Sequence, residues 1–346
     1  MTAVTNAPRS AEPAGGSVPR IGHFAVAPVT RDPERDYRAI IDLAVHAERS
    51  GFDTFWVAEG HVATSGLPAA LAFLAALSQR TQSIRLGTAV ITLAFENPLA
   101  LAETAGVVEV LSGGRLELGL GKSNRGGWSS SAFAAFELDE ADRDALFAEA
   151  LERFRDALAG RSSGREVTLH PPARHLRSRI WQATSRATTA AAAGAAGDGL
   201  QLHRKALEGE TGREQSALID AYLDALGDRE PRIAVSRVVL PAHDRAEAVA
   251  LFRRYASTRV EYYRRFDHTR PVEEHLIDAN IAYGSPGDIA EALRADAAAR
   301  RATEILFSIP LPFDAPEYRD GIAAISRDIG PQLGSSARAR AGATVS

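Results

Sequence analysis

The chain has 346 residues, 45% hydrophobic and 24% charged, the balance of a globular protein with an extensive core. Lysine and arginine total 40 against 44 aspartates and glutamates, and the formal net charge of −4 gives no global field to attract nucleic acid or an anionic membrane. Cysteine is absent, which excludes disulfides, thiolate metal sites and cysteine nucleophiles and suits the cytoplasm as the expected location; no apolar run approaches the roughly 20 residues of a membrane helix. A small-molecule partner is the resulting expectation.

Residues 1–20 are rich in Ala, Pro, Gly and Ser, lack the apolar segment of a secretory signal and read as a disordered tail. Residues 334–346 have the same character, leaving 21–333 as one expected domain. Within it, short apolar runs bounded by turn residues recur at 21–27, 52–58, 84–93, 115–121, 179–183, 199–202, 232–240 and 304–309. Most are followed by helical spacing, which argues for βα units and a parallel sheet. Eight such units close a TIM-type (β/α) barrel, and that α/β fold is the prediction.

The helix after the first run is expected to bury Ile40, Ile41, Ala44, Val45 and Ala47 and to stop at Gly51. Between Asp142 and Gly160, Leu146, Phe147, Ala150, Leu151, Phe154 and Leu158 mark a second amphipathic helix. Two connections exceed a plain barrel, 125–136 after the fourth strand and 259–283 between the seventh and eighth, and read as lids or binding loops.

In a parallel barrel the site lies at the C-terminal strand ends, so polar residues there are the candidates. They are Glu59 and His61 after strand two, Lys122, Ser123 and Asn124 after strand four, Ser185, Arg186 and Thr188 after strand five, and His203 after strand six. Gly119 and Gly121 allow close backbone approach, and Lys122 adds a compact charge suited to phosphate. It is one of only two lysines, with Lys205, among 40 basic residues. A P-loop is rejected because Leu116 stands where its first glycine should be, and a dinucleotide fingerprint fails at Asn124.

The end of strand five precedes an alanine-rich stretch and would form a helix N-terminus, a natural anion site; ordinary Ser/Thr capping is the competing explanation. Both strand ends pointing at one phosphate is the stronger argument. Glu59 and His61 suit a base and a proton shuttle, against a plain hydrogen-bonded rim, and His203 competes with a structural imidazole. The nine histidines show no metal-ligand spacing, and no Gly-x-Ser-x-Gly elbow supports a hydrolase.

The segments Gly51-Phe52-Asp53-Thr54-Phe55-Trp56-Val57-Ala58-Glu59, Ile84-Arg85-Leu86-Gly87-Thr88-Ala89-Val90, Asn97-Pro98, Ala102-Glu103 and Leu111-Ser112-Gly113-Gly114-Arg115-Leu116, in this order and spacing, resemble the bacterial-luciferase-like flavin monooxygenases. The likeness spans about residues 21–330. It implies a barrel that takes reduced FMN as co-substrate from a separate flavin reductase and uses O2 to oxygenate a small organic substrate. Carried over by position, Lys122 matches a basic phosphate ligand, Ser185 and Thr188 the phosphate turn, and Ala89 and Val90 the pair beneath the flavin ring, where the family can hold a non-proline cis peptide. It also implies a homodimer, or a heterodimer with a related chain, joined through helices of the early βα units.

Two positions depart from the family pattern. Gly60 stands where members with a catalytic histidine usually show the first of two, and the turn after strand four reads Gly-Leu-Gly-Lys-Ser-Asn instead of continuing with glycine. The alternatives are a deazaflavin-dependent oxidoreductase on the same barrel and a non-catalytic flavin-binding partner subunit.

Overall fold

Eight strands follow the eight apolar runs: β1 Arg20–Ala25, β2 Thr54–Val57, β3 Arg85–Thr88, β4 Leu116–Gly121, β5 Ile180–Ala183, β6 Gly199–Leu202, β7 Ile233–Pro241 and β8 Glu304–Ser308. They pair in that order, all parallel, and β8 returns to β1 with Glu304 opposite Arg20. The sheet is therefore closed, the TIM-type barrel expected from the βα alternation. The structure, a computed structural model, describes residues 18–62, 65–123, 128–203, 211–256 and 270–335. Most of both tails, Asn124, Lys205 and residues 257–269 of the second long connection lie outside the described residues.

Around the barrel run α1 Pro33–Arg49, α2 Ala70–Ser78, α3 Pro98–Leu111, α4 Trp128–Ala135, α5 Arg143–Leu158, α6 Ala187–Ala196, α7 Thr211–Leu226, α8 Arg245–Ala256, α9 Val272–Asp278, α10 Pro286–Ala295 and α11 Pro316–Ala324. Helix α1 starts where Asp32 accepts from the Arg35 N–H and Pro33 needs no partner, and it gives way to Gly51 at φ 90°. It buries Ile40, Leu43, Ala44 and Ala47, while Ile41 and Val45 of the expected face are only half-buried. The stripe turned to the sheet follows i, i+3, i+4, i+7 spacing from Ile40, and Ile41 and Val45 fall on its margin. Helix α5 buries Phe147, Leu151, Phe154 and Leu158 of its expected face, while Leu146 and Ala150 are half-buried.

Two segments differ from the sequence expectation. The apolar run 84–93 is not one strand: β3 ends at Thr88, the Ala89–Val90 peptide is cis, and Ile91–Thr92 form a short separate ladder on Leu120 and Gly121. The long connection after β7 contains a parallel strand, Ile281–Gly284, paired with Val238–Pro241. Strand β7 has nine residues, and its upper part runs on past the residues that pair with β6, where it takes this extra strand.

The base of the barrel is sealed by ion pairs. Arg20 binds Glu304 at 2.5 Å, and Glu117 accepts from Arg85 at 2.7 Å and Arg179 at 3.3 Å. Trp56 and Trp181 hydrogen-bond the same two carboxylates at 2.8 and 2.7 Å and pack edge to face at 5.5 Å over Gly87 and Gly199. Phe24, Ala89, Ala234 and Leu306 complete the interior packing, so the barrel is filled at its base and middle. Among the described residues no helix is long and apolar enough to cross a membrane.

Candidate active site

The ends of β4 and β5 converge on the start of α6. Lys122 Nζ donates to Asp144 at 2.7 Å and to Thr189 at 3.1 Å, so the β4 end reaches the first turn of that helix. Arg186 binds the other Asp144 oxygen at 2.8 Å, and Arg143 donates to the Ser123 carbonyl at 3.2 Å. The Asp144 carboxyl is held below its ordinary range, above all by the hydrogen bond from Lys122, with the Arg186 and Arg143 charges adding to it. Three cations and one carboxylate sum to a formal +2.

Helix α6 has Arg186 at its N-cap, and no side chain caps it. Thr184 instead accepts from the Arg186 N–H at 3.0 Å. The α6 N-terminus thus carries no side-chain cap within the helix, and Ser185 and Thr188 are exposed beside it. Ser123 sits at φ 63° and takes a hydrogen bond from Ser129 at 2.9 Å, which fixes the turn after β4.

Next to this cradle lies a floor of small residues. Strand alternation turns Ala58, Ala89, Gly121, Ala183 and His203 inward at the tops of β2 to β6. A Cβ on Gly121 would collide with the Val90 side chain, and one on Gly119 with the Thr88 carbonyl oxygen, so β4 lies directly against Thr88–Val90. Thr88 Oγ1 binds both the carbonyl and the N–H of Gly119, at 2.8 and 2.9 Å. His203 packs against Phe24 at 5.5 Å, and burial pushes its pKa down to about 4, so its imidazole is neutral at pH 7.

Glu59 and His61 meet on the opposite side of the mouth. His61 Nε2 lies 3.2 Å from Glu59 Oε1, and Glu59 also accepts from the Ala70 N–H at 3.1 Å and the Thr92 N–H at 3.3 Å. The carboxylate is thus fixed by α2 and the post-β3 turn, and it contacts the imidazole through Nε2. Phe95 and Phe136 press their rings perpendicular to His61 at 5.2 and 5.1 Å, and stack on each other at 4.4 Å. Burial, and then the Glu59 charge, raise the pKa of the adjoining Glu96 carboxyl.

Among the residues named from sequence, the structure joins Lys122, Ser123, Ser185, Arg186 and Thr188 in one cradle, Ala89, Val90, Gly121 and His203 in one floor, and Glu59 with His61. Asn124 lies outside the described residues. Arg143, Asp144, Thr189, Phe95 and Gln201 were not foreseen. Gln201 stands two residues before His203 on the same strand face, the spacing from which it could have been found. A separate concavity of about 630 Å³ opens between α1 and α11, lined by Arg35, Arg38, Asp42, Asp314 and Arg319. No strand-end residue lines it, and Arg38 there is paired with Glu34 at 2.6 Å.

A cluster of cations at a helix N-terminus, suited to a phosphate, and a nearby buried amide without a partner, Gln201, are compatible with a flavin nucleotide. The fold and site together define a parallel barrel with a cationic cluster and a helix N-terminus at its strand ends. The sequence profile of the luciferase-like monooxygenases matches residues 20–306, and the chain belongs to that family. It is 34% identical over 166 residues to an uncharacterized protein of Sinorhizobium fredii, covering 45% of this chain and 46% of that one. Against the 4-hydroxyprotoasukamycin monooxygenase of Streptomyces nodosus it is 32% identical over 157 residues, covering 44% and 41%. The matches therefore span less than half the length of either relative.

Among solved structures, a monooxygenase of Streptomyces bottropensis superposes with a TM-score of 0.75 at 22% identity, covering 90% of this chain and 99% of its own. The oxygenating constituent of 3,6-diketocamphane monooxygenase of Pseudomonas putida, solved with FMN, gives 0.72 at 18% identity, with 91% and 98% covered. A coenzyme F420 dependent tetrahydromethanopterin reductase of Methanopyrus kandleri gives 0.67 at 14%, with 91% and 99% covered. These likenesses show the fold.

Proposed function

We propose that the chain is an FMN-dependent monooxygenase that places one oxygen atom from O2 into a small organic substrate, with reduced FMN delivered by a separate reductase. The observation that carries this is the convergence of Lys122, Arg186, Arg143 and the uncapped α6 terminus beside the Thr88–Val90 shelf. A formal +2 at a free helix terminus suits the dianionic phosphomonoester that ends FMN. Reduced FMN supplies the electrons that activate oxygen.

The chain's own residues do the rest. Lys122, Arg186, Ser185 and Thr188 grip the phosphate, and Ala89, Val90 and Gly121 support the ring. Phe95 and Phe136 shield the mouth from water. Glu59 orients His61, whose Nδ1 takes or returns a proton at the substrate, and neutral His203 faces the same mouth as a hydrogen-bonding group. Gly60 removes one histidine from the usual pair, so His61 carries the proton transfer alone. Val107, Val110 and Leu111, 46%, 63% and 46% exposed on α3, offer the face through which two copies pair.

A deazaflavin-dependent oxidoreductase is the competing assignment, since the chain is also 35% identical over 94 residues to an F420-dependent glucose-6-phosphate dehydrogenase of Amycolatopsis mediterranei. The deciding experiment supplies reduced FMN and reduced deazaflavin separately, under ¹⁸O2, with aldehydes, alkanes, sulfonates and cyclic ketones. The proposal expects one labelled atom in product with FMN only. His61→Ala should slow that turnover at least roughly tenfold while FMN affinity holds. Deazaflavin-driven product without label, or no product with either coenzyme, would remove the monooxygenase assignment.

A further inference from the structure

We infer that the side-chain amide of Gln201 recognises the ring of the bound flavin, pairing its C=O and N–H with the imide edge of the isoalloxazine; this rests on the flavin assignment above. Gln201 is 1% exposed on the inner face of β6, and neither its Nε2 nor its Oε1 has a hydrogen-bond partner. Among the described residues it is the one buried side chain whose entire polar group is left so. Buried amides are almost always satisfied, and an apolar side chain of similar size would suit this interior better.

The surroundings explain why the barrel itself does not satisfy it. Its lateral neighbours in register are Ala183 on β5 and Ala234 on β7, neither with a polar side chain. Its Oε1 lies against Gly119, whose N–H and C=O are both engaged by Thr88 Oγ1. The groups in register with the amide and against its Oε1 are thus small or saturated, and it stands two residues before His203 on the same strand face. Three flexible torsions let it swing past the two alanines toward the mouth.

The partner must present a donor and an acceptor side by side, because a primary amide offers one of each. The isoalloxazine imide edge does so, with its N3–H flanked by two carbonyls. A phosphate or an aliphatic substrate does not. Gln201 is thus a positioning residue for the ring, separate from the phosphate grip at Lys122.

The test measures binding of riboflavin and of 3-methylriboflavin, which lacks the N3–H, to wild type, Gln201→Leu and Gln201→Met. Wild type should prefer riboflavin by roughly tenfold. Both variants should lose that preference, with riboflavin falling to the level of its methylated analogue, while the melting temperature of the flavin-free protein stays level or rises. Equal binding of the two ligands by wild type, or a preference that persists in both variants, would overturn the ring contact. A wild type that binds neither riboflavin nor FMN would overturn the flavin assignment as well.

Discussion

His23, on β1, is fully buried against α11, with Tyr318 Oη 3.2 Å from its Nε2 and Phe52 and Phe55 against its ring. Burial pushes its pKa down to about 3, from an ordinary value of 6.5. His203 follows the same rule, lowered to about 4. Because both folded values lie below the unfolded one, the unfolded chain binds more protons in between, and stability is lost as pH falls from 6.5 through each folded value. Urea unfolding between pH 6 and pH 4 should show His23 alone contributing a loss of about 1.4 kcal/mol per pH unit. His23→Leu should flatten the profile by that share, and an unchanged slope would show that the imidazole is not the titrating group. At this scale the sequence placed Lys122, Arg186, Glu59 and His61 at strand ends, because the βα alternation alone fixes those positions. It did not expose the orphaned state of Gln201, which depends on what the neighbouring strands fail to offer.

At the scale of elements, the fit of β4 against β3 decides whether a floor exists. A Cβ on Gly119 meets the Thr88 carbonyl oxygen, a backbone atom that cannot rotate away, whereas one on Gly121 meets the side chain of Val90. Gly119→Ala should therefore cost about 1–3 kcal/mol or more, measured by chemical denaturation, and Gly121→Ala less. A Gly119→Ala protein as stable as wild type would mean that the strands are not held this closely. All eight barrel strands and the faces of α1 and α5 were legible as apolar runs and helical stripes. The break after Thr88 and the strand Ile281–Gly284 were not. The first hides inside a continuous apolar run, and the second is four residues long and pairs with a partner about forty positions earlier, which local periodicity does not register.

At the scale of the whole molecule, the barrel explains why one chain keeps chemistry and stability apart. Ion pairs and two tryptophans seal the base, and the candidate site residues among the described residues lie at the other end. The outer surface then remains for association. Exposed Val107, Val110 and Leu111 on α3 predict a dimer at micromolar concentration, and Val110→Glu should shift light scattering toward the monomer by placing like charges on facing copies. A monomeric wild type would contradict pairing through this face. The closed barrel was legible in the number of βα units. The pairing face was expected on family resemblance alone, since a helix exposing three apolar side chains reads in sequence like one that buries them.

The central claim is that the ends of β4 and β5 hold the phosphate of FMN. Its most direct measurement is the affinity of FMN and of riboflavin, which lacks the phosphate, for wild type and Lys122→Ala. The substitution should weaken FMN by about 1.5–3 kcal/mol, the range of a hydrogen bond to a charged group, and leave riboflavin nearly unchanged. Equal losses for the two flavins would place the phosphate elsewhere and contradict it.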